Sequence, residues 1–234
     1  MDFANRTVMI TGAAGNLGQA VASAFADRGA RLLLVDHDEQ ALRQAFGAPG
    51  ERLEIAAADL LDPVQVGTTV RRAIERFGRI DALANLTGGF RMGEPVHATT
   101  EATMRFLLDI NVRTLLNTVH AVVPGMIDAG GGRIVNVGAY AALKGVAQMG
   151  AYVVAKSAVV RLTESMAAEL RESNINVNCV LPTIIDTPGN RAAMPEADPG
   201  RWVAPADLAA VIVFLASDAA RAIHGAAVPV TGLV

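Results

Sequence analysis

The sequence predicts a single-domain α/β protein, residues 1–234, built on a doubly wound parallel sheet of about seven strands. Three observations predict it. Short apolar runs alternate with longer amphipathic ones along the whole chain, the order expected of strand–helix–strand units. The short runs are apolar almost without interruption, as in parallel strands covered on both faces. No repeat, linker or shift in composition divides the chain, and 52 % hydrophobic with 18 % charged residues suits one sizeable, ordered core.

The elements follow in order. "TVMIT" (7–11) reads as a strand and leads into a helix from about Asn16 to Arg28. "RLLLVD" (31–36) is a second strand, with a helix at 38–46. "RLEIAAAD" (52–59) is a third, followed by a helix from Pro63 to Phe77, and "IDALANL" (80–86) a fourth. A long helix at about 100–128 precedes "GRIVNVG" (132–138), and another at about 150–172 precedes "INVNCVLP" (175–182). A helix at 205–217 and a strand near 226–230 complete the chain. Segment 186–204, "DTPGNRAAMPEADPGRWVA", is rich in Pro, Gly and Asp and follows the C-terminal end of a strand, where open α/β sheets bind ligands. It reads either as a lid or as a plain surface connection.

Charge and composition exclude several functions. A net charge of −3 and a pI near 5.8 give no reason to expect a nucleic-acid or membrane-surface partner. The single cysteine, Cys179, forbids an internal disulfide, fits a reducing compartment, and lies in an apolar run as a buried, inert thiol would. No run approaches the ~20 apolar residues of a membrane span, and the N-terminus has no leader pattern. The expectation is a soluble cytoplasmic protein. His37, His97, His120 and His224 are scattered, with no carboxylate cluster at ligand spacing, so no metal site is expected.

Two stretches carry chemistry. In "TVMITGAAGNLGQAVASAF" a strand runs through Gly12, Gly15 and Gly18 into a helix. Glycine there lets backbone approach a pyrophosphate, and the helix start offers free N–H groups and a positive dipole end. Asp36 ends the second strand, where a carboxylate accepts bonds from ribose hydroxyls and repels a 2′-phosphate. His37 and Asp38 follow it with no Arg or Lys, so NAD(H) is expected over NADP(H). The competing reading of Asp36 is the N-cap of the next helix. Asp59 reads equally as an adenine contact or a helix cap. The second stretch holds Tyr152 and Lys156, four apart and so on one helix face, where they can share a proton-transfer site. Upstream stand Gly138 and Ala139, without a hydroxyl.

Taken together, "TGAAGNLG" (11–18), Asp59, "NLTGG" (85–89), Asn111, Tyr152 with Lys156, and "LPTIIDT" (181–187) resemble the short-chain dehydrogenase/reductase family over essentially the whole chain. The resemblance implies a Rossmann fold and an oxidoreductase acting on a small molecule. It implies Tyr152 as general acid/base and Lys156 as the charge that lowers the Tyr152 pKa and holds the nicotinamide ribose. It implies Asn111 as the holder of a water linking Lys156 to solvent. Cofactor contacts are implied at Gly12, Gly15, Asn16, Leu17, Gly18, Asp36, Asp59, Leu60, Asn85, Gly88, Pro182, Ile185 and Thr187, with Thr187 on the nicotinamide amide. A second apolar face on helix 150–172 and the habit of the family imply a homodimer or homotetramer.

Three departures stand out. The middle glycine lies at 15, with Asn16 where the family has glycine; Leu86-Thr87 interrupts the fourth-strand motif; and the serine expected 13 residues before Tyr152 is Ala139. A donor of that kind is worth about 10²–10³ in rate when oxygen charge must be stabilised. Tyr140, Thr87 and Thr183 are possible substitutes. The segments "GAYAALKGVAQMGAYVVAKSAV" (138–159) and "VLPTIIDTPGNRAAMPEAD" (180–198) resemble the dihydropteridine reductase branch, which also lacks the serine and reduces a conjugated ring with NADH. Phe90, Met149 and Trp202 are the candidate walls for such a flat substrate beside Ala139, although packing is the default for methionine.

Overall fold

The computed structural model describes all 234 residues. Seven strands form one parallel sheet in the order β3-β2-β1-β4-β5-β6-β7. They are β1 (Thr7–Thr11), β2 (Arg31–Asp36), β3 (Leu53–Ala57), β4 (Ala82–Asn85), β5 (Gly132–Val137), β6 (Ile175–Pro182) and β7 (Ala227–Val230). The helices are α1 (Asn16–Ala26), α2 (Glu39–Phe46), α3 (Pro63–Phe77), α4 (Glu101–Leu108), α5 (Thr114–Asp128), α6 (Gly150–Glu169), α7 (Pro188–Ala193) and α8 (Pro205–Leu215). The winding direction reverses between β1 and β4, and the C-terminal strand ends open there into one crevice. No helix is long and apolar enough to cross a membrane.

Strand alternation explains the unbroken apolar runs. Val8 and Ile10 of β1 and Leu32 and Leu34 of β2 point to one core, with Phe25 of α1 and Ile212 of α8. Met9, Leu33 and Val35 point to the other, with Val70 of α3, Val122 of α5 and Val159 of α6. The apolar strand residues alternate between these two buried layers, so neither face of the sheet is left polar throughout.

Caps set the helix starts. Asp38 accepts from the Ala41 N–H at 3.0 Å and caps α2; Asp62 accepts from the N–H groups of Val64 and Gln65 at 2.9 and 3.3 Å and caps α3. Neither Asp36 nor Asp59 has this duty. The Asp59 carboxylate instead closes a tight turn on the Leu61 N–H at 2.9 Å. Helix α1 starts at Gly15 with no side-chain cap.

The expected long helical stretch over 100–128 is present without a gap from Glu101 to Asp128, and a π-helical turn at Asp109–Arg113 widens it between α4 and α5. Its cause is local competition for backbone: the Asn111 amide donates to the Leu107 carbonyl at 3.0 Å and Thr114 Oγ1 donates to the Ile110 carbonyl at 2.8 Å. Helix α6 stops at Glu169, after which a 3₁₀ turn at Arg171–Ser173 and left-handed Asn174 (φ 57°) lead into β6. Segment 186–204 is neither free lid nor plain coil. It contains α7 and a 3₁₀ turn at Pro199–Arg201, and a bridge between Ile185 and Val203 fastens its two ends together. The Asp186 N–H donates to the Val203 carbonyl at 2.8 Å, and the Val203 N–H to the Ile184 carbonyl at 2.9 Å.

Candidate active site

The glycine loop leaves β1 at Thr11, whose hydroxyl accepts from the N–H groups of Leu86 and Thr87 at 3.1 and 3.3 Å and binds the end of β4 to the loop. Gly12 has φ +64°, and a Cβ at Gly18 would lie 2.5 Å from the Ala13 carbonyl oxygen, so α1 docks on the loop only with glycine there. Gly15 differs. A Cβ there would sit at an ordinary 3.4 Å from the Gly12 carbonyl, so the fold itself does not demand glycine at this place. Asn16 is exposed and Leu17 packs partly into the core beside it. The helix start thus leaves a bare backbone cradle open to the crevice. Asp36 stands at its rim. Its carboxylate accepts from the Ala14 N–H at 3.0 Å, from the His37 N–H at 2.8 Å, and meets His37 Nδ1 at 2.8 Å. Backbone N–H groups that donate and a fixed carboxylate that accepts are what a dinucleotide's pyrophosphate and ribose hydroxyls require.

Tyr152 lies in the first turn of α6, half-buried, with the Phe90 ring edge-on at 4.9 Å and 87°. Burial pushes its phenol up to about 12. Lys156 is buried, and its ammonium donates to the Val137 carbonyl at the end of β5 at 2.9 Å. Burial pulls it down to about 8, opposed by the nearby Cys179. Desolvation is thus what shifts the phenol, and the ammonium is directed to the Val137 carbonyl.

Asn111 sits in the π turn. Its Oδ1 accepts from the Gly89 N–H at 3.1 Å and its amide donates to the Gly89 carbonyl at 3.0 Å, so it pairs with the β4 loop as a strand would. Gly88 is wedged between the two polar groups: a Cβ there would be 2.8 Å from Asn111 Oδ1 and 3.1 Å from Lys156 Nζ. The close approach that requires glycine at 88 is made by Asn111 and Lys156. Asn85 donates to Asn136 at 2.9 Å, which donates to Thr163 of α6 at 2.9 Å, a polar chain buried through the sheet. Asn85 Oδ1 is buried without a partner and lines, with Thr11, Leu60, Asn111 and Thr114, a cavity of about 10 Å³.

The remaining expected residues divide. Ala139 is buried at the end of β5 and no side chain caps the turn it starts. Among the substitute hydroxyls, Thr183 donates to the Thr231 carbonyl at 2.8 Å, Thr87 lies against Gly12, and Tyr140 is 41 % exposed. Pro182 ends β6, Ile185 is held in the bridge to Val203, and Thr187 caps α7 by accepting from the Asn190 N–H at 3.2 Å. Met149 lines a cavity of about 170 Å³, together with Gln148, Gly150 and Ala151 just before Tyr152. Trp202 is buried and does not line it: the strap that fastens 186–204 carries Trp202 into the body of the protein. Cys179 is fully buried with its thiol pushed up to about 11 by burial, the inert state expected of it. Sequence reasoning missed the Phe90 contact with Tyr152 and the Val137 carbonyl under Lys156. Neither has a local signal, because both are long-range contacts.

Residues 6–198 match the family model described as short chain dehydrogenase. The chain belongs to the short-chain dehydrogenase/reductase family and is an oxidoreductase of that family. It is similar to a levodione reductase of Leifsonia aquatica, at 31 % identity over 98 % of this chain and 94 % of that one. It is similar to a D-threitol dehydrogenase of Mycolicibacterium smegmatis, at 34 % identity over 97 % and 92 %. Among solved structures it is similar to an NAD⁺-bound xylitol dehydrogenase, with a TM-score of 0.90 and 27 % identity over 99 % of this chain and 100 % of that one.

Proposed function

We propose that the protein is an NAD(H)-dependent reductase of a conjugated acceptor, with quinonoid dihydropterin as the preferred substrate. The observation that carries this reading is Ala139, a methyl where an ordinary carbonyl reductase needs a hydroxyl, beside an intact Tyr152 and Lys156. When bound in the Gly15 cradle, the nicotinamide cofactor supplies the hydride. Tyr152, with its pKa near 12, holds its proton through neutral pH and is the acid that completes the reduction. Lys156, near 8, remains largely charged at pH 7 and is placed to hold a ribose hydroxyl and to restore the phenol's proton. Asn111 fixes the β4 loop over both groups. A conjugated ring delocalises the incoming electrons, so it does without the donor that Ala139 cannot provide. The fixed Asp36 carboxylate favours NAD(H) by repelling a 2′-phosphate. The reading includes a cytoplasmic homodimer or homotetramer.

A second reading has its own support. Tyr140, exposed and adjacent to Ala139, supplies a hydroxyl for a carbonyl or 3-oxoacyl reductase, and the levodione reductase likeness points the same way. A third, a non-catalytic dinucleotide-binding sensor, leaves the Tyr152–Lys156 pair without a purpose. The substitution Ala139→Ser separates them. The conjugated-acceptor reading expects a gain of ~10-fold or more in reduction of simple ketones with little change for quinonoid acceptors. No gain on ketones means that Tyr140 or another hydroxyl already does that work.

A further inference from the structure

Two arginines border the crevice, and their surroundings differ. Arg191 is engaged: its Nε and Nη2 donate to the two carboxylate oxygens of Asp186 at 2.6 and 2.7 Å. Arg91 has no acidic partner and no hydrogen bond to the chain; its Cζ lies over the Phe106 ring, 3.9 Å from the centroid. The one carboxylate sharing its cavity is Glu94, and that group is occupied. Thr103 Oγ1 donates to Glu94 Oε1 at 3.0 Å and the Thr100 N–H donates to Oε2 at 3.3 Å. The contact with the ring restrains the guanidinium while its N–H groups stay free, and a free guanidinium can receive a carboxylate in a two-pronged grip.

The place of this free cation is informative. Arg91 lines the 170 Å³ cavity with Met92 and Met149, and the same cavity is walled by Gly150 and Ala151, the two residues before Tyr152. Phe90, its neighbour in the chain, touches the Tyr152 ring. The loop is held against the active-site segment where the Gly93 N–H donates to the Gln148 carbonyl at 2.8 Å, and Gln148 itself takes φ +60°. A non-glycine residue is strained in that conformation, and the strain is kept where the two segments meet.

We propose that Arg91 is a specificity-determining residue that binds an anionic group, a carboxylate or sulfonate, on the substrate whose reacting atoms lie at Tyr152. The two methionines take the apolar body of that substrate. The proposal goes beyond the pterin, which carries no such anion: it rests on the reductase reading for Tyr152 as the reacting centre and adds acceptors with an anionic group, and its test needs no turnover.

The test is binding to the NADH-loaded protein of 2-naphthoate against its neutral counterpart 2-naphthamide, by titration calorimetry. The native chain is expected to prefer the carboxylate by ~10-fold or more, the usual scale of a charge-assisted grip. Arg91→Leu is expected to abolish that preference while leaving the affinities for naphthamide and NADH unchanged, and Arg91→Lys to keep part of it. Equal binding of the two ligands, no saturable binding of the carboxylate, or a preference that survives in Arg91→Leu overturns the proposal. Equal weakening of both ligands in Arg91→Leu overturns it too, since that marks a structural role. A failure of the reductase reading would show instead as absent hydride transfer to every acceptor, with the binding preference intact.

Discussion

Lys156 is the residue on which stability and chemistry meet. An ammonium buried under α6 with one carbonyl partner binds its proton more weakly in the folded chain than in the unfolded one, about 8 against 10.5. The unfolded state therefore holds more protons between those values, and stability rises with pH from about 8 to about 10.5. Tyr152 acts in the opposite sense. Its folded pKa near 12 exceeds the ordinary 10, so stability falls as pH climbs through that window. Lys156→Met removes the buried charge. It is expected to stabilise the protein at pH 7 by about 1–3 kcal/mol, to erase the rise above pH 8, and to abolish turnover. Urea unfolding across pH checks the first two; an unchanged slope with pH would contradict the placement of the ammonium. The spacing of Tyr152 and Lys156 was legible in the sequence because helical periodicity fixes it. The Val137 carbonyl was not, because that contact joins residues 137 and 156 through the fold.

At the scale of elements, the site depends on how α4, the π turn and the β4 loop interlock. Asn111 was legible as a residue, but the π turn around it was not. The apolar pattern of 100–128 runs on through the turn, as the helix does, and what widens it there is an amide that bonds Leu107 and reaches Gly89. Gly88→Ala drives a methyl against Asn111 Oδ1 and Lys156 Nζ. It is expected to reduce kcat by ~10²-fold or more, the penalty of misplacing catalytic groups by about 1 Å, with NADH affinity much less affected. Equal loss of NADH binding would place the tight approach at the cofactor instead. The helix caps make a control far from the site. Asp62→Ala removes the bonds to Val64 and Gln65 and should cost about 0.5–2 kcal/mol without altering activity. The strand positions were legible to within a residue or two, since every one of them feeds one of two cores. Segment 186–204 was not, because its short helix and its strap depend on Val203 returning to pair beside β6.

For the whole molecule, the sheet order places the Gly15 cradle, Asp36, Tyr152 and the Arg91 cavity along one crevice at the β1/β4 reversal. That order follows from the alternation of strands and helices, which is why the fold class was readable from patterning alone. Substrate identity is a different matter. It lies in contacts such as Arg91 on Phe106 and Phe90 on Tyr152, made by loops whose sequence carries no periodic signal. The proposed cofactor choice lies between these extremes and rests on one carboxylate, Asp36. On the proposed reading, Asp36→Ala removes both the ribose acceptor and the charge that repels a 2′-phosphate. It is expected to narrow the preference for NADH over NADPH by ~10-fold or more, the size of one like-charge contact near a surface. Competitive titration of the two cofactors checks it, and an unchanged ratio would show that Asp36 only braces the Ala14 N–H.

The central claim is that Tyr152 works beside Ala139 on an acceptor that needs no alkoxide donor. Its most direct measurement is NADH oxidation by the native protein, with quinonoid dihydropterin compared against simple ketones and an acetoacetyl thioester at equal concentration. Rapid turnover of the pterin, about 10²-fold or more above the ketones and lost in Tyr152→Phe, is the predicted result. Turnover of the thioester or ketones with none of the pterin would contradict it.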